Sequence, residues 1–371
     1  MVCDDPVHIG SGSTIPCESG LFPARNDFVF TEKNTLRLHF SRNGCIVMVK
    51  NENEGNGGVR TMKNNTVVTV GDINYLWGLF MLIASMRKSG MDEPVLVGAH
   101  KFTPEAEEIL KQLGDVTIYT LKDIDHSLTC YKPLVMLQAQ TEYISWVDSD
   151  GYFVGNCSKR LPPLSPEEIH ARMRSPEENP GAFRGYEYGE DGRSIPKAIL
   201  DVWKADIGGN PEPRTHRSCS ACCLAVHRSA RPFLEKWHSQ MMKVLPAGNT
   251  GVVDRSLKYY HQLDESVLNS ILSFWPQAPR VSDTYRLNKD RNELFVHFVG
   301  LPKPWIGWTP NSFRHFDTYT AVADWAVKQG FKLPGPLPYS LNPAHKAMCR
   351  LLLHPVNIST KIKRRLKKLF H

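Results

Sequence analysis

Long hydrophobic runs are missing from this 371-residue chain. A bilayer-spanning helix needs about 20 consecutive apolar residues, and the longest candidate, Leu76 to Ala84, falls far short. Met1-Val2-Cys3-Asp4-Asp5 lacks a basic region followed by an apolar one, so no secretory signal is expected. A disulfide framework is missing as well. The nine cysteines are odd in number and scattered, a usage that fits a reducing cytoplasm. The Asn-x-Ser/Thr matches at Asn64, Asn156 and Asn357 would then stay unmodified. Internal repeats and low-complexity segments are absent. Basic residues are not interleaved with aromatics along a surface, so nucleic acid is not an expected partner.

What is present is the composition of a globular protein, with 41% hydrophobic and 22% charged residues. The length suits one large α/β domain or two smaller ones. The net charge of +7 is uneven, because residues 361–371 hold six Lys/Arg and no acid. Ile362, Leu366, Leu369 and Phe370 recur at helical spacing between those cations. A basic amphipathic helix of this kind reads as an element that lies on an anionic membrane surface. A solvated tail is the alternative. The expected location is the cytoplasm, peripheral on the inner face of the membrane.

The chain reads as an N-terminal extension (1–60), an α/β domain (61–310) and a C-terminal helical region (311–371). Residues 1–27 look irregular. Leu36 to Phe40 and Cys45 to Val49 alternate about Asn43-Gly44, which predicts a β-hairpin within 28–50, and 51–58 resembles a linker. From Thr66 strands and helices alternate. Strands are predicted at Thr66 to Val70, Pro94 to Gly98, Val116 to Tyr119 and Tyr143 to Val147. Helices are predicted at Tyr75 to Ser89, from Thr103-Pro104 onward, and at Pro133 to Thr141. This pattern predicts a mostly parallel sheet flanked by helices, with ligands at the C-terminal strand ends. Residues 161–217 loosen into Pro-, Gly- and Arg-rich stretches around one helix (Pro196 to Lys204) and read as an insertion over the site. A strand at Cys222 to Val226, helices at Arg231 to Val244 and Leu263 to Phe274, and a strand at Phe295 to Val299 complete the pattern.

Chemistry concentrates at four places. Asp148-Ser149-Asp150 closes the apolar strand Tyr143 to Val147. Two carboxylates there can share one hard cation, Mn²⁺ or Mg²⁺, whose open positions accept phosphate oxygens. An ordinary Asp-Ser-Asp turn is the bland alternative. Tyr75, at the mouth of the sheet, can stack on a base or simply pack beneath its helix. Lys132, in Tyr131-Lys132-Pro133, can reach ribose or phosphate. His297 to Trp305 combines an imidazole suited to be a third metal ligand, a flexible Gly300 whose neighbouring backbone N–H groups can approach a diphosphate, and Lys303 to neutralise it. His216, Cys219, Cys222 and Cys223 offer ligands of the kind that bind Zn²⁺, but no second Cys pair follows at zinc-ribbon spacing, and cysteines buried as small hydrophobes are the favoured reading.

In this order, Asp72-Ile73-Asn74-Tyr75, Tyr131-Lys132-Pro133, Asp148-x-Asp150 and His297-x-x-Gly300-x-x-Lys303-Pro304-Trp305 resemble the glycogenin and lipopolysaccharide galactosyltransferase family. The resemblance runs from about Thr66 to Trp305, and the last motif is its most specific part. It implies a GT-A fold and a metal-dependent, retaining nucleotide-sugar transferase. Tyr75 would be the base-contacting aromatic, Lys132 a Lys near the nucleotide, Asp148, Asp150 and His297 the Mn²⁺ ligands, and Gly300 and Lys303 the diphosphate contacts.

Two departures stand out. Asp264-Glu265-Ser266 replaces the usual Asp-Gln and resembles the Asp-Glu-Ser motif of the blood-group and α-1,3-galactosyltransferase family, where the Glu is the proposed nucleophile. Glu265 and Asp264 are therefore the catalytic candidates. A helix-capping Asp followed by a first-turn acid is the structural alternative. Ser220 to Val226 stands where the families have a strand with an Asn-x-Gly element; the Asn and Gly are missing while small residues are kept, so the contacts of that strand differ.

The resemblance implies transfer of a hexose from a nucleotide-diphosphate sugar, UDP-linked, to a glycan or lipid-linked acceptor; a membrane-binding tail would concentrate a lipid-linked acceptor, so the expected setting is surface polysaccharide or lipopolysaccharide synthesis. An inverting enzyme with Asp264 or Glu265 as base, or a catalytically silent GT-A-like binding scaffold, are the other readings.

Overall fold

The computed structural model describes residues 64–183, 192–248, 254, 256–283 and 294–353, together with the backbone of four strands nearer the N-terminus. The chain divides into two units, Met1–Thr61 and Met62–His371. In the first, β1 (His8–Ile9) and β2 (Ser13–Thr14) pair antiparallel within a stretch expected to be irregular. The predicted hairpin is there as β3 (Thr35–Ser41) and β4 (Gly44–Lys50). Its ladder ends with Ser41 opposite Gly44. The linker 51–58 and the basic tail 361–371 lie outside the described residues.

The second unit begins with β5 (Asn65–Asp72), whose Val67 and Val68 are fully buried and serve the cores on opposite faces of the sheet. Asp72 stops the strand: its carboxylate accepts from the backbone N–H groups of Asn74 and Tyr75 and starts a turn that leads into α1 (Leu76–Lys88). From Leu79 to Ala84 this helix is completely buried. Gly90 (φ +72°) lies just past its end. β6 (Val95–His100) follows, then α2 (Pro104–Lys111), capped by the Thr103 hydroxyl with Pro at its first position. β7 (Val116–Thr120), α3 (Lys132–Met136) and β8 (Tyr143–Val147) complete the parallel half. α3 is shorter than the predicted Pro133 to Thr141. Past Met136 the backbone tightens into i→i+3 turns, with Gln138 N–H bonding the Val135 carbonyl and Ala139 N–H the Met136 carbonyl.

β9 (Gly151–Phe153) leaves the acidic turn. The region read as an insertion then contributes to the sheet. β10 (Glu168–Met173) is a strand, followed by α4 (Asn179–Ala182) and α5 (Lys197–Ile207). β11 (Cys219–His227), α6 (Arg231–Val244) and α7 (Asp264–Phe274) come next, then β12 (Arg280–Asp283), β13 (Phe295–His297) and α8 (Phe316–Lys328).

The sheet order is β12-β10-β11-β8-β5-β6-β7. β8, β5, β6 and β7 run parallel, β11 is antiparallel to both β8 and β10, and β12 is parallel to β10. The expected mostly parallel sheet flanked by helices is present. α1, α2 and α8 serve one core, and α3, α5, α6 and α7 the other. A separate ladder of β9 and β13 stands at the C-terminal end of β8, where the site lies. No helix among the described residues is long and apolar enough to cross a membrane.

Candidate active site

The acidic turn is built by the strand before it and the helix beneath it. Asp148 N–H bonds the Cys222 carbonyl at 2.9 Å, and Gly151 N–H bonds back to the Asp148 carbonyl at 3.1 Å. Gly78 of α1 supports this turn: a Cβ there would meet the Ser149 carbonyl oxygen at 2.6 Å and the Trp305 ring at 2.7 Å. Helix and turn can approach this closely only because position 78 has no side chain.

His297 arrives by strand pairing. In the β9–β13 ladder it lies opposite Gly151, one residue past Asp150. Its Nε2 is 3.0 Å from Asp150 Oδ1 and 3.6 Å from Asp148 Oδ2. One donor atom from each of Asp148, Asp150 and His297 lies within 4.8 Å of the others. Two carboxylates and an imidazole fit a borderline-hard divalent ion such as Mn²⁺. The Lys303 ammonium lies 2.5 Å from Asp150 Oδ2 and also bonds the Phe298 carbonyl at 2.7 Å.

The electrostatics follow from this crowding. Burial alone would raise Asp150, but His297 and Lys303 together hold its carboxyl far below the usual range. Burial would lower His297; Asp150, with Cys222 adding in the same direction, outweighs it and holds the imidazole well above its ordinary value. Tyr75 is pushed up to about 12 by burial and then by Asp150, Asp72 and Asp148, so its hydroxyl stays protonated beside the acids. Its ring meets Trp305 edge-on at 5.7 Å.

Lys132 bridges two carboxylates. It is buried, with its ammonium 2.8 Å from Asp148 Oδ1, 2.9 Å from Asp264 Oδ2 and 3.2 Å from the Ala221 carbonyl. Burial opposes its charge, yet Asp148 and Asp264 raise its pKa further still. Asp264 is pushed up to about 6 by burial, against the pull of Lys132 and with the Asp148 charge adding to the rise. The next residue, Glu265, faces a cation the sequence did not single out: Arg174 Nη2 lies 2.5 Å from Glu265 Oε1. Trp146 was also missed; its Nε1 donates to Asp148 Oδ1 at 2.9 Å.

Asp148, Asp150, His297, Lys303, Lys132 and Asp264 thus form one connected cluster, with Glu265 next to Asp264 at the start of α7. Gly300 lies on an exposed loop between Val299 and Leu301 (79% and 75% exposed) and has φ +84°, a backbone state that favours glycine. Cys219, Cys222 and Cys223 are buried in β11.

No protein-family model matches this chain, and no curated protein matches it. Among solved structures it is similar to the apo form of the bifunctional glycosyltransferase WbbM, at 15% identity and a TM-score of 0.48, covering 79% of this chain and 53% of that one. The chain spans about half the length of WbbM. The galactosyltransferase LgtC in complex with donor and acceptor sugar analogues is similar at 14% identity and a TM-score of 0.43, covering 71% and 99%. The glycosyltransferase GlyE of Streptococcus pneumoniae TIGR4 follows at 12% identity and a TM-score of 0.44, covering 73% and 65%. With overlaps this low, the functional reading rests on the site.

Proposed function

We propose that this protein is a metal-dependent retaining glycosyltransferase that moves a hexose from a UDP-linked donor to a glycan or lipid-linked hydroxyl. The observation that carries the reading is the convergence of Asp148, Asp150 and His297, with Lys303 beside them. These three side chains would hold Mn²⁺ or Mg²⁺. When bound, the ion supplies Lewis-acid stabilisation of a departing diphosphate. Lys303 adds fixed positive charge at the same edge, which favours the transition state more than the ground state because negative charge grows on the leaving group. Tyr75 offers a face for the base, and the backbone around Gly300 is free to approach the diphosphate.

Asp264 and Glu265 supply the negative charge that an oxocarbenium-like centre requires. Lys132 connects Asp264 to Asp148, so the donor-binding and sugar-facing halves of the site are mechanically joined. One observation favours a second reading: a carboxyl pushed up to about 6 is suited to general-base work near neutral pH. Asp264 acting in that way on the acceptor hydroxyl would invert the anomeric configuration.

The acceptor would be met at the membrane. Met348, Leu351 and Leu352 are exposed on the helical stretch 346–353, a short distance before the basic residues 361–371. That combination supports binding to an anionic surface. The test is Mn²⁺-dependent hydrolysis of a UDP-sugar panel by wild type and Asp150→Asn, with product configuration read by NMR. Turnover lost in the variant supports the proposal, and no turnover by wild type on any donor favours a silent scaffold.

A further inference from the structure

We infer that Arg174 is a positioning residue for Glu265, an inference that rests on the transferase reading above. The Glu265 carboxylate is held from both sides. Oε1 accepts from Arg174 Nη2 at 2.5 Å and Oε2 accepts from the Ala221 N–H at 3.1 Å. Both side chains of the pair are largely buried, where a guanidinium–carboxylate contact is stronger and more directional than on a surface.

The surroundings keep Arg174 in place. Its Nη1 donates to Ser218 Oγ at 3.0 Å and to the Cys219 carbonyl at 3.3 Å. Ser218 Oγ in turn donates to Asn179 Oδ1 at 2.8 Å, and Asn179 is fully buried. From the other side, Asn269 clasps both the Cys219 carbonyl and the Glu265 carbonyl.

An irregularity in the sheet makes this cradle possible. Between β10 and β11 the register jumps from Ala171 opposite Leu224 to Arg172 opposite Ser220. Ala221 falls in the skipped stretch, so its backbone groups are not spent on β10. Its N–H goes to Glu265 and its carbonyl to Lys132. Bulged strands of this kind commonly re-aim groups next to active sites. Two neighbouring carboxylates therefore each have their own cation, Lys132 for Asp264 and Arg174 for Glu265, and a shared anchor at Ala221.

Arg174 then affects turnover only by way of Glu265. The experiment is a double-mutant cycle on the full chain, with Mn²⁺ and whichever UDP-sugar the wild type hydrolyses. Arg174→Met should lower kcat by about 10- to 100-fold, the usual cost of losing an orienting partner, with the donor KM unchanged. In a Glu265→Gln background the same substitution should cost nothing further. Added guanidinium ion should restore part of the activity of Arg174→Ala without raising its melting temperature, a response that a purely structural role would not give. Arg174→Lys keeps a cation and guards against misfolding; it should retain an intermediate kcat. A raised donor KM with kcat preserved, or losses that simply multiply in the double variant, would overturn the inference while leaving the transferase reading intact. Absence of turnover in wild type would overturn both.

Discussion

His297 Nε2 lies 3.0 Å from Asp150 Oδ1 because of strand register. β13 pairs with β9 so that His297 faces Gly151, and the Phe298 N–H bonds the Asp150 carbonyl at 3.0 Å. The strand that carries the imidazole is thus fixed by backbone pairing at the acidic residue and immediately after it. A ligand set assembled in this way needs little rearrangement to receive an ion.

That register depends on the absence of a side chain at Gly151. A Cβ there would stand 2.4 Å from the Phe295 ring and 3.0 Å from the Val296 carbonyl. Gly151→Ala should push β13 away, destabilise the protein by about 1–3 kcal/mol, and weaken Mn²⁺ binding. Urea denaturation and calorimetric Mn²⁺ titration check both effects. Unaltered Mn²⁺ affinity would show that the β9–β13 ladder does not set the site.

Lys132 offers a second test. Removing a buried cation leaves its partners uncompensated, at a typical cost of about 3–5 kcal/mol. Lys132→Met should therefore be strongly destabilising. The double variant Lys132→Met/Asp264→Asn should recover part of the loss, because one of the two stranded carboxylates is gone. A denaturant midpoint for Lys132→Met equal to that of wild type would contradict the observed bridge.

The Asp264 carboxyl predicts a pH dependence of stability. Its folded-state value of about 6 exceeds the ordinary 3.8. A carboxyl raised on folding binds its proton more tightly in the native state. Its stabilising contribution is therefore complete below the unfolded value and is lost as pH rises through about 6. Asp264→Asn stays neutral throughout. Between about pH 4 and pH 7, the variant's melting temperature should gain on that of wild type. A constant difference across that range would mean that Asp264 titrates normally.

These relationships were unevenly visible in the sequence. The βα alternation from Thr66 onward and the Asp148, Asp150 and His297 set were legible, because apolar strands end where chemistry-bearing residues begin. β10 was hidden even though Ile169, Ala171 and Met173 alternate: Glu168, His170 and Arg172 separate them, and Pro- and Gly-rich segments flank the strand. Arg174 follows that strand, so its pairing with Glu265 could not be read either. Lys132 was singled out, but its double attachment to Asp148 and Asp264 is a tertiary fact that spacing does not encode. The end of α3 differs from the predicted Thr141 because the chain tightens into i→i+3 turns at Gln138 and Ala139, a choice that apolar spacing does not encode.

The membrane proposal has its own readout. Deleting residues 361–371 removes six cations, each worth about 1 kcal/mol near an anionic surface. Association with phosphatidylserine-containing vesicles in a flotation assay should collapse, while turnover on a soluble acceptor should persist. Equal flotation of the truncated protein would place membrane contact elsewhere.

The most direct test of the central claim is a Mn²⁺ titration followed by electron paramagnetic resonance, with and without UDP, on wild type, Asp148→Asn, Asp150→Asn and His297→Ala. Wild type should bind a single ion, more tightly when UDP is present, and each substitution should weaken that binding by well over about tenfold. Mn²⁺ affinity that is indifferent to UDP and to all three substitutions would contradict the account.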